Sequence, residues 1–321
     1  MYYSTNGKNR KDEIRANGHT VRMTILFFLL TVLVYERCFR RYDAGVPSDF
    51  GRPCRRLQFE SDGRTLQGYL LGQGDCLVVV AAGLGNSACH YAPQIRYFLD
   101  AGKRVFAFDY TGTYESAGRS CRGFPQAVDD LRAALRFVRE NDLFGSKHLC
   151  LFGHSMGGYA VCSILNTAAA DAAVSVGGVN SAMEATISGV YRYFGRLAFL
   201  HYPFLYLYQT LRFGRTAVKR QAIDGAKNAR ALLLVNGVND WIAPLDRASV
   251  VSHVGELQGS GVQCLLWAEP EHDGHADLLF SENDASANPR LMRRIDAFFD
   301  RAVGEKENFL SKSEKMVDNR D

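Results

Sequence analysis

HLCLFGHSMGGYAVCSILN, residues 148–166, is an apolar run that breaks into glycines around a single serine and then resumes with helical composition. The run His148–Phe152 reads as a buried strand, and the segment from Tyr159 reads as a helix. Between them Gly153-His154-Ser155-Met156-Gly157-Gly158 must turn the chain sharply, and a G-x-S-x-G match gains meaning in that strand–turn–helix setting. Glycines two residues to either side of Ser155 remove the Cβ atoms that would collide in so tight a turn. The serine oxygen then stands at the carboxyl edge of a sheet, above a helix N-terminus whose partial positive charge favours a developing anion. Ser155 is therefore the candidate nucleophile, although an isolated match also fits a glycine turn that serves packing alone.

Working outward, the same rhythm repeats. Cys76–Ala82, Arg104–Asp109, Ala173–Val179, Ala231–Val235 and Gln263–Trp267 are short apolar runs. Helical patterns lie at Ala92–Asp100, at Pro125–Asn141 (Ala127, Leu131, Leu135 and Val138 on one stripe) and at Pro289–Arg301. Before them Leu57–Glu60 and Leu66–Leu71 flank Ser-Asp-Gly, a hairpin signal. Strands apolar throughout and separated by helix-length connections predict an α/β fold, a mostly parallel sheet with helices on both faces. One connection is too long. About fifty residues lie between Val179 and Ala231, against about 10–15 for a crossover helix. They hold Tyr191, Tyr193, Phe194, Phe199, Tyr202, Phe204, Tyr206, Tyr208 and Phe213. An inserted helical cap over about 183–228 is expected.

A serine nucleophile needs a base, and the base needs an orienting carboxylate, arriving in this fold type in the order Ser, Asp, His after successive strands. The strand ALLLV leads into NGVNDWIAP, which places Asp240 just beyond a strand end. The strand QCLLW leads into EPEHDGHADL, which offers His275 as base and His272 as its competitor in the same loop. His154 adjoins the nucleophile but points elsewhere on a tight turn and reads as structural. The oxyanion donors expected are the N–H of Met156 and, from the glycine loop Ala82–Asn86, that of Leu84. Asp109, Tyr110 and Glu115 occupy a loop that usually shapes the pocket. His90 reads as a surface or pocket-rim residue, and Asp273 and Asp277 as neighbours of the base. No cluster has metal-ligand spacing and no glycine loop reads as a phosphate cradle, so neither a metal nor another cofactor is implied.

With 47% hydrophobic and 22% charged residues, the bulk of the chain is not disordered. A net charge of +4 gives no concentrated basic face and no support for a nucleic-acid partner. The eight cysteines form no CxxC pair, and whether any pair with one another stays open. Residues 1–20 read as a polar tail without periodicity. Met23–Tyr35 (MTILFFLLTVLVY) is then almost wholly apolar, with Arg22 and Arg37 at its ends. As a helix its span is about 20 Å, short of the roughly 30 Å hydrocarbon core unless the arginines snorkel. A signal peptide and a helix lying on the folded domain or in the membrane interface are the rival readings. The following ERCFRRYD has no small-residue cleavage site, and the favoured reading is an uncleaved single-pass anchor over 21–42. A domain over 43–302 and a charged tail over 303–321 complete the division.

Several segments together carry a resemblance: GLGNSACHYAPQIRYF, RVFAFDYTGTYESAGRS, GHSMGGYA, NGVNDWIAP and DGHADLLF. From about Leu57 to Ala302 the chain resembles the α/β-hydrolase superfamily. Within it the chain is similar to the bacterial branch of serine aminopeptidases and monoglyceride lipase- or lysophospholipase-like enzymes. The resemblance implies Ser155, Asp240 and His275 as catalytic residues, assigns the base to His275, and implies acyl transfer to water without a cofactor. Many relatives have His-Gly where this chain has Ala82-Gly83, which puts the rigidity of that loop in doubt. A lipid-like ester and a bacterial cell membrane are the expected substrate and location. An amidase or aminopeptidase shares every catalytic residue. An acyltransferase would use the same three residues while excluding water, and a binding protein of the same fold would use none of them.

Overall fold

Asp62 and Gly63 both take positive φ, 48° and 69°, the combination that lets a two-residue turn follow the twist of its strands. They join β1 (Cys54–Ser61) to β2 (Arg64–Leu71) in an antiparallel hairpin. The computed structural model describes residues 6–43, 49–141, 144–246, 248–257, 262–269, 272–281 and 286–318, with backbone alone at 6–16, 192–193 and 308–318. Among the described residues, β3 (Cys76–Ala81), β4 (Arg104–Phe108), β5 (His148–His154), β6 (Ala172–Val176), β7 (Leu232–Gly237) and β8 (Val262–Trp267) continue the sheet. Its order is β1-β2-β4-β3-β5-β6-β7-β8, with β2 antiparallel to β4 and every later pairing parallel. β6 and β7 are buried along their whole length, as an apolar strand covered on both faces must be.

Helix α3 (Phe124–Arg139) buries Ala127, Val128, Leu131, Ala134 and Leu135 and packs beside α4 (Met156–Ile164) on one face. Helices α2 (Ala92–Asp100) and α9 (Pro289–Asp318) cover the other. All eight cysteines are free.

Between β6 and β7 the chain forms α5 (Ala182–Phe194), a 3₁₀ segment at Gly195–His201, α6 (Tyr202–Phe213), α7 (Arg215–Lys219) and α8 (Ala222–Ala226). The long connection is thus a helical insertion. Its aromatics pack in an unexpected direction. Phe204 and Tyr208 meet the N-terminal helix α1 (Asn6–Cys38), with Phe28–Phe204 ring centroids 6.4 Å apart and Tyr35–Tyr208 5.3 Å apart. The side chain of Tyr193 lies outside the described residues.

Both ends of the chain depart from expectation. Helix α1 runs from Asn6 to Cys38, so the segment whose composition reads as an unstructured tail is helical from Asn6, while residues 1–5 lie outside the described residues. No proline interrupts this stretch, and extending a helix from a packed segment costs far less than starting one. Likewise α9 passes Arg301 and continues to Asp318, with residues 319–321 outside the described residues. Lys306 pairs with Asp171 at 2.7 Å, and Glu307 accepts from His148 at 3.1 Å, which fixes the start of the expected charged tail. Within α1, Asn17–Cys38 holds an 18-residue window of mean hydropathy 1.6 and is long and apolar enough to cross a membrane by length and composition.

Candidate active site

β5 ends at His154, and Ser155 follows with φ 55° and ψ −115°, a left-handed backbone that costs a non-glycine residue about 1–3 kcal/mol. The turn closes because Gly157 lies against the end of the neighbouring strand β3: a Cβ there would run into the Ala81 carbonyl. Ser155 precedes α4, yet its hydroxyl does not cap the helix. It donates instead to His275 Nε2 at 2.8 Å. His275 Nδ1–H in turn donates to Asp240 Oδ2 at 2.7 Å. The other oxygen, Asp240 Oδ1, accepts the N–H groups of Ile242 (2.9 Å) and Ala243 (2.8 Å), so the carboxylate is held by the loop that follows β7. All three side chains are buried.

The two candidate histidines are thereby separated. His272 Nδ1 faces the Asp277 carbonyl at 3.3 Å, away from Ser155, while Asp273 accepts from Asn239 and Asp277 from the Gly274 N–H. Gly177, at the end of β6 with φ 56°, backs the His275–Asp240 pair. A Cβ there would stand 3.1 Å from His275 Nδ1 and 3.3 Å from Asp240 Oδ2.

His154 makes two contacts that its place in the sequence does not disclose. Its Nε2 lies 3.0 Å from the His275 carbonyl, which can only accept, so Nε2 carries the proton. Its Nδ1 then accepts from Tyr91 Oη–H at 2.7 Å, and the Tyr91 oxygen accepts the Gly83 N–H at 2.8 Å. Burial, reinforced by the neighbouring His275, pushes the His154 pKa down to about 3, so this ring is neutral and its tautomer fixed. Burial pushes the Tyr91 phenol up to about 12. The base's backbone and the glycine loop after β3 are thus tied through two neutral side chains.

That loop carries Leu84, with Gly83 already engaged by Tyr91 and the ring of Tyr42 packed against Gly85. Met156, on the far side, is the first residue of α4, where an N–H has no carbonyl one turn back to bond. Asp109 and Tyr110 are both buried. Asp109 accepts from the Ala88 N–H (2.8 Å) and Tyr69 Oη (3.0 Å), which pins the turn that carries Tyr91. Glu115 also accepts from Tyr69. His90 accepts the Ser87 N–H within a capping box. Sequence reasoning alone misses Tyr91 and the bracing role of His154. The one signal for them is the absent histidine at position 82, which leaves the loop in need of another brace. Among the described residues no three His, Cys, Asp or Glu side chains are grouped as a metal ion would require.

The chain is similar over 81 residues, at 36% identity, to a Variovorax paradoxus protein named as a carbamate hydrolase, RutD; the match covers 25% of this chain and 29% of that one. It is 30% identical over 112 residues to the uncharacterized protein YfhR of Escherichia coli K12, covering 32% and 38% of the two. The chain therefore spans about a third of the length of these relatives. A Pyrococcus furiosus esterase, Pf2001, shares the fold with TM-score 0.62 and 18% identity over 82% of this chain and 97% of its own. The family model described as serine aminopeptidase, S33, matches residues 72–247, a stretch that contains Ser155 and Asp240 and stops before His275. The chain belongs to the serine aminopeptidase S33 family of α/β hydrolases.

Proposed function

We propose that this hydrolase forms an acyl-enzyme on Ser155 and acts on carboxylic esters with a hydrophobic acyl group. The observation that carries the reading is the unbroken hydrogen-bonded series from Ser155 Oγ through His275 to Asp240, at 2.8 and 2.7 Å. His275 Nε2 takes the serine proton as Oγ attacks the carbonyl carbon. Asp240 holds the imidazole in the required tautomer and stabilises the imidazolium that forms. The N–H groups of Met156 and Leu84 donate to the tetrahedral oxyanion, with the α4 dipole adding to the first. His275 then protonates the leaving alkoxide, activates water, and the acyl group departs as the acid. The use of Gly83 N–H by Tyr91 supports Leu84 over its neighbour as the second donor.

The hydrophobic substrate and a membrane location find support in α1, whose Asn17–Cys38 stretch reads as the attachment to a membrane. A second reading, cleavage of an amide at the same three residues, draws on the family's aminopeptidase description. Turnover of p-nitrophenyl esters from acetate to laurate, beside aminoacyl p-nitroanilides, separates the two. The longer esters should react fastest, and Ser155→Ala should lower their turnover by about 10⁴-fold or more. Faster turnover of the anilides would move the assignment to an amidase.

A further inference from the structure

The large apolar side chains that face outward are concentrated in two neighbouring elements. Val21, Met23, Ile25, Leu26, Leu29, Leu30 and Leu33 lie on α1. On the insertion Phe194, Leu197, Phe199, Leu200, Tyr202, Leu207 and Leu211 are equally exposed. The two sets adjoin, because the opposite side of α1 is packed on the insertion. The Phe27 ring stacks on His201 at 4.6 Å. Thr31 Oγ, which donates to the Phe27 carbonyl, accepts from His201 Nδ1–H at 2.7 Å. One turn farther, Glu36 accepts from Tyr208 and Arg212.

These contacts fix relative depth. His201 stands beside α1 residues 27–31, in the middle of the apolar run, and Tyr208 and Arg212 stand beside Tyr35 and Glu36, about 10 Å farther along the helix. If the apolar run of α1 enters hydrocarbon, the residues around His201 enter with it. What they present outward is Leu197, Phe199, Leu200 and Tyr202. Arg196, exposed beside them, has a stem long enough to keep its charge among headgroups. Arg22, Arg37 and Arg40 are exposed toward the two ends of the run, as cations at an anionic headgroup layer would be.

We propose that α1 and the insertion enter the lipid bilayer as one unit, so that the cap of the active site is itself embedded and lipid substrates arrive from the membrane side. This rests on the reading of α1 as membrane-attached and adds where the cap lies. The C-terminal end of α1 leads straight to the site: Tyr42 N donates to the Gly112 carbonyl, and its ring covers Gly85 of the loop that carries Leu84.

The test uses the full chain in vesicles of phosphatidylcholine and phosphatidylglycerol with or without mid-chain bromines. Separate variants Leu29→Trp (on α1), Leu200→Trp and Leu207→Trp (on the cap) and Val254→Trp (a control outside α1 and the α5–α6 part of the insertion) are compared with the background of Trp241 and Trp267. All four positions are exposed, so the substitutions need no repacking. Bromolipid should quench the emission added at 29, 200 and 207 by about twofold or more and leave 254 unchanged. Quenching at 29 without quenching at 200 and 207 overturns the embedded cap and leaves α1 as a free anchor. No quenching at any position overturns both. Cap tryptophans that stay bright while cross-linking joins two copies across this face make it a self-association surface, which also overturns the proposal. The readout is position, not turnover, so loss of the esterase reading would not mimic any of these results.

Discussion

Leu33, Leu197 and Leu211 keep 66%, 64% and 73% of their surface exposed, whereas Ser155, His275 and Asp240 are buried and hydrogen-bonded to one another. The carboxyl edge of the sheet is fixed by backbone: a left-handed serine, a glycine pressed on the Ala81 carbonyl, and a carboxylate gripped by two N–H groups. The α1–cap face is held from behind by aromatic contacts and leaves its front exposed. Small displacements should therefore be costly at the first region and nearly free for soluble chemistry at the second.

Outside the Ser155–His275–Asp240 series itself, the largest effect is expected at Gly177. In Gly177→Ala the new Cβ meets the His275–Asp240 pair at a φ of 56°. Displacement of the base by about 1 Å should lower kcat roughly 10²-fold with little change in KM. An unchanged kcat would mean that the pair can shift freely, and the contrast between the regions would fail.

Tyr91→Phe removes the acceptor of the Gly83 N–H and the donor to His154. Loosening one oxyanion donor without deleting it should cost kcat about tenfold, less than the 10²–10³ of removing a donor outright. A change in KM alone would point to the substrate pocket instead.

His154 makes the site sensitive to acid. Its folded pKa, about 3, lies below the ordinary value of 6.5, so the folded state binds fewer protons than the unfolded chain between these values. The stability it contributes is present above pH 6.5 and is lost as pH falls toward 3. In His154→Phe the fall in Tm between pH 7 and pH 4.5 should be smaller than in the unsubstituted protein. An equal fall would place the acid sensitivity elsewhere.

The smallest effect belongs to the other region. A combined Leu197→Ser, Leu200→Ser and Leu211→Ser variant should hydrolyse p-nitrophenyl butyrate within about twofold of the parent, because surface substitutions away from packed features change little. A larger loss would show that the outer face is coupled to the catalytic edge.

The two regions also differ in how far they can be read from sequence. The order of Ser155, Asp240 and His275 is legible because each lies just past an apolar strand. Spacing alone does not separate His275 from His272, since both occupy one loop; the family resemblance picks His275, and the loop's conformation aims that ring at Ser155. The bracing role of His154 is invisible there because its partners lie 63 and 121 residues away. A helix packed on the domain is among the readings of this segment, but which residues it meets, such as His201 170 residues on, cannot be foreseen for the same reason. Apolar periodicity shows that Met23–Tyr35 avoids water but not what covers it. Beyond Arg301 the turns of α9 are rich in charged residues, and what the charges meet cannot be read there: Lys306 and Glu307 are held by Asp171 and His148 far back in the chain.

The central claim, a covalent acyl-enzyme on Ser155, is tested most directly by mass spectrometry of the full chain after treatment with a fluorophosphonate. The account predicts one adduct per chain, located on the peptide that contains Ser155, and none in Ser155→Ala. An adduct on another residue, or undiminished labelling of Ser155→Ala, would contradict it.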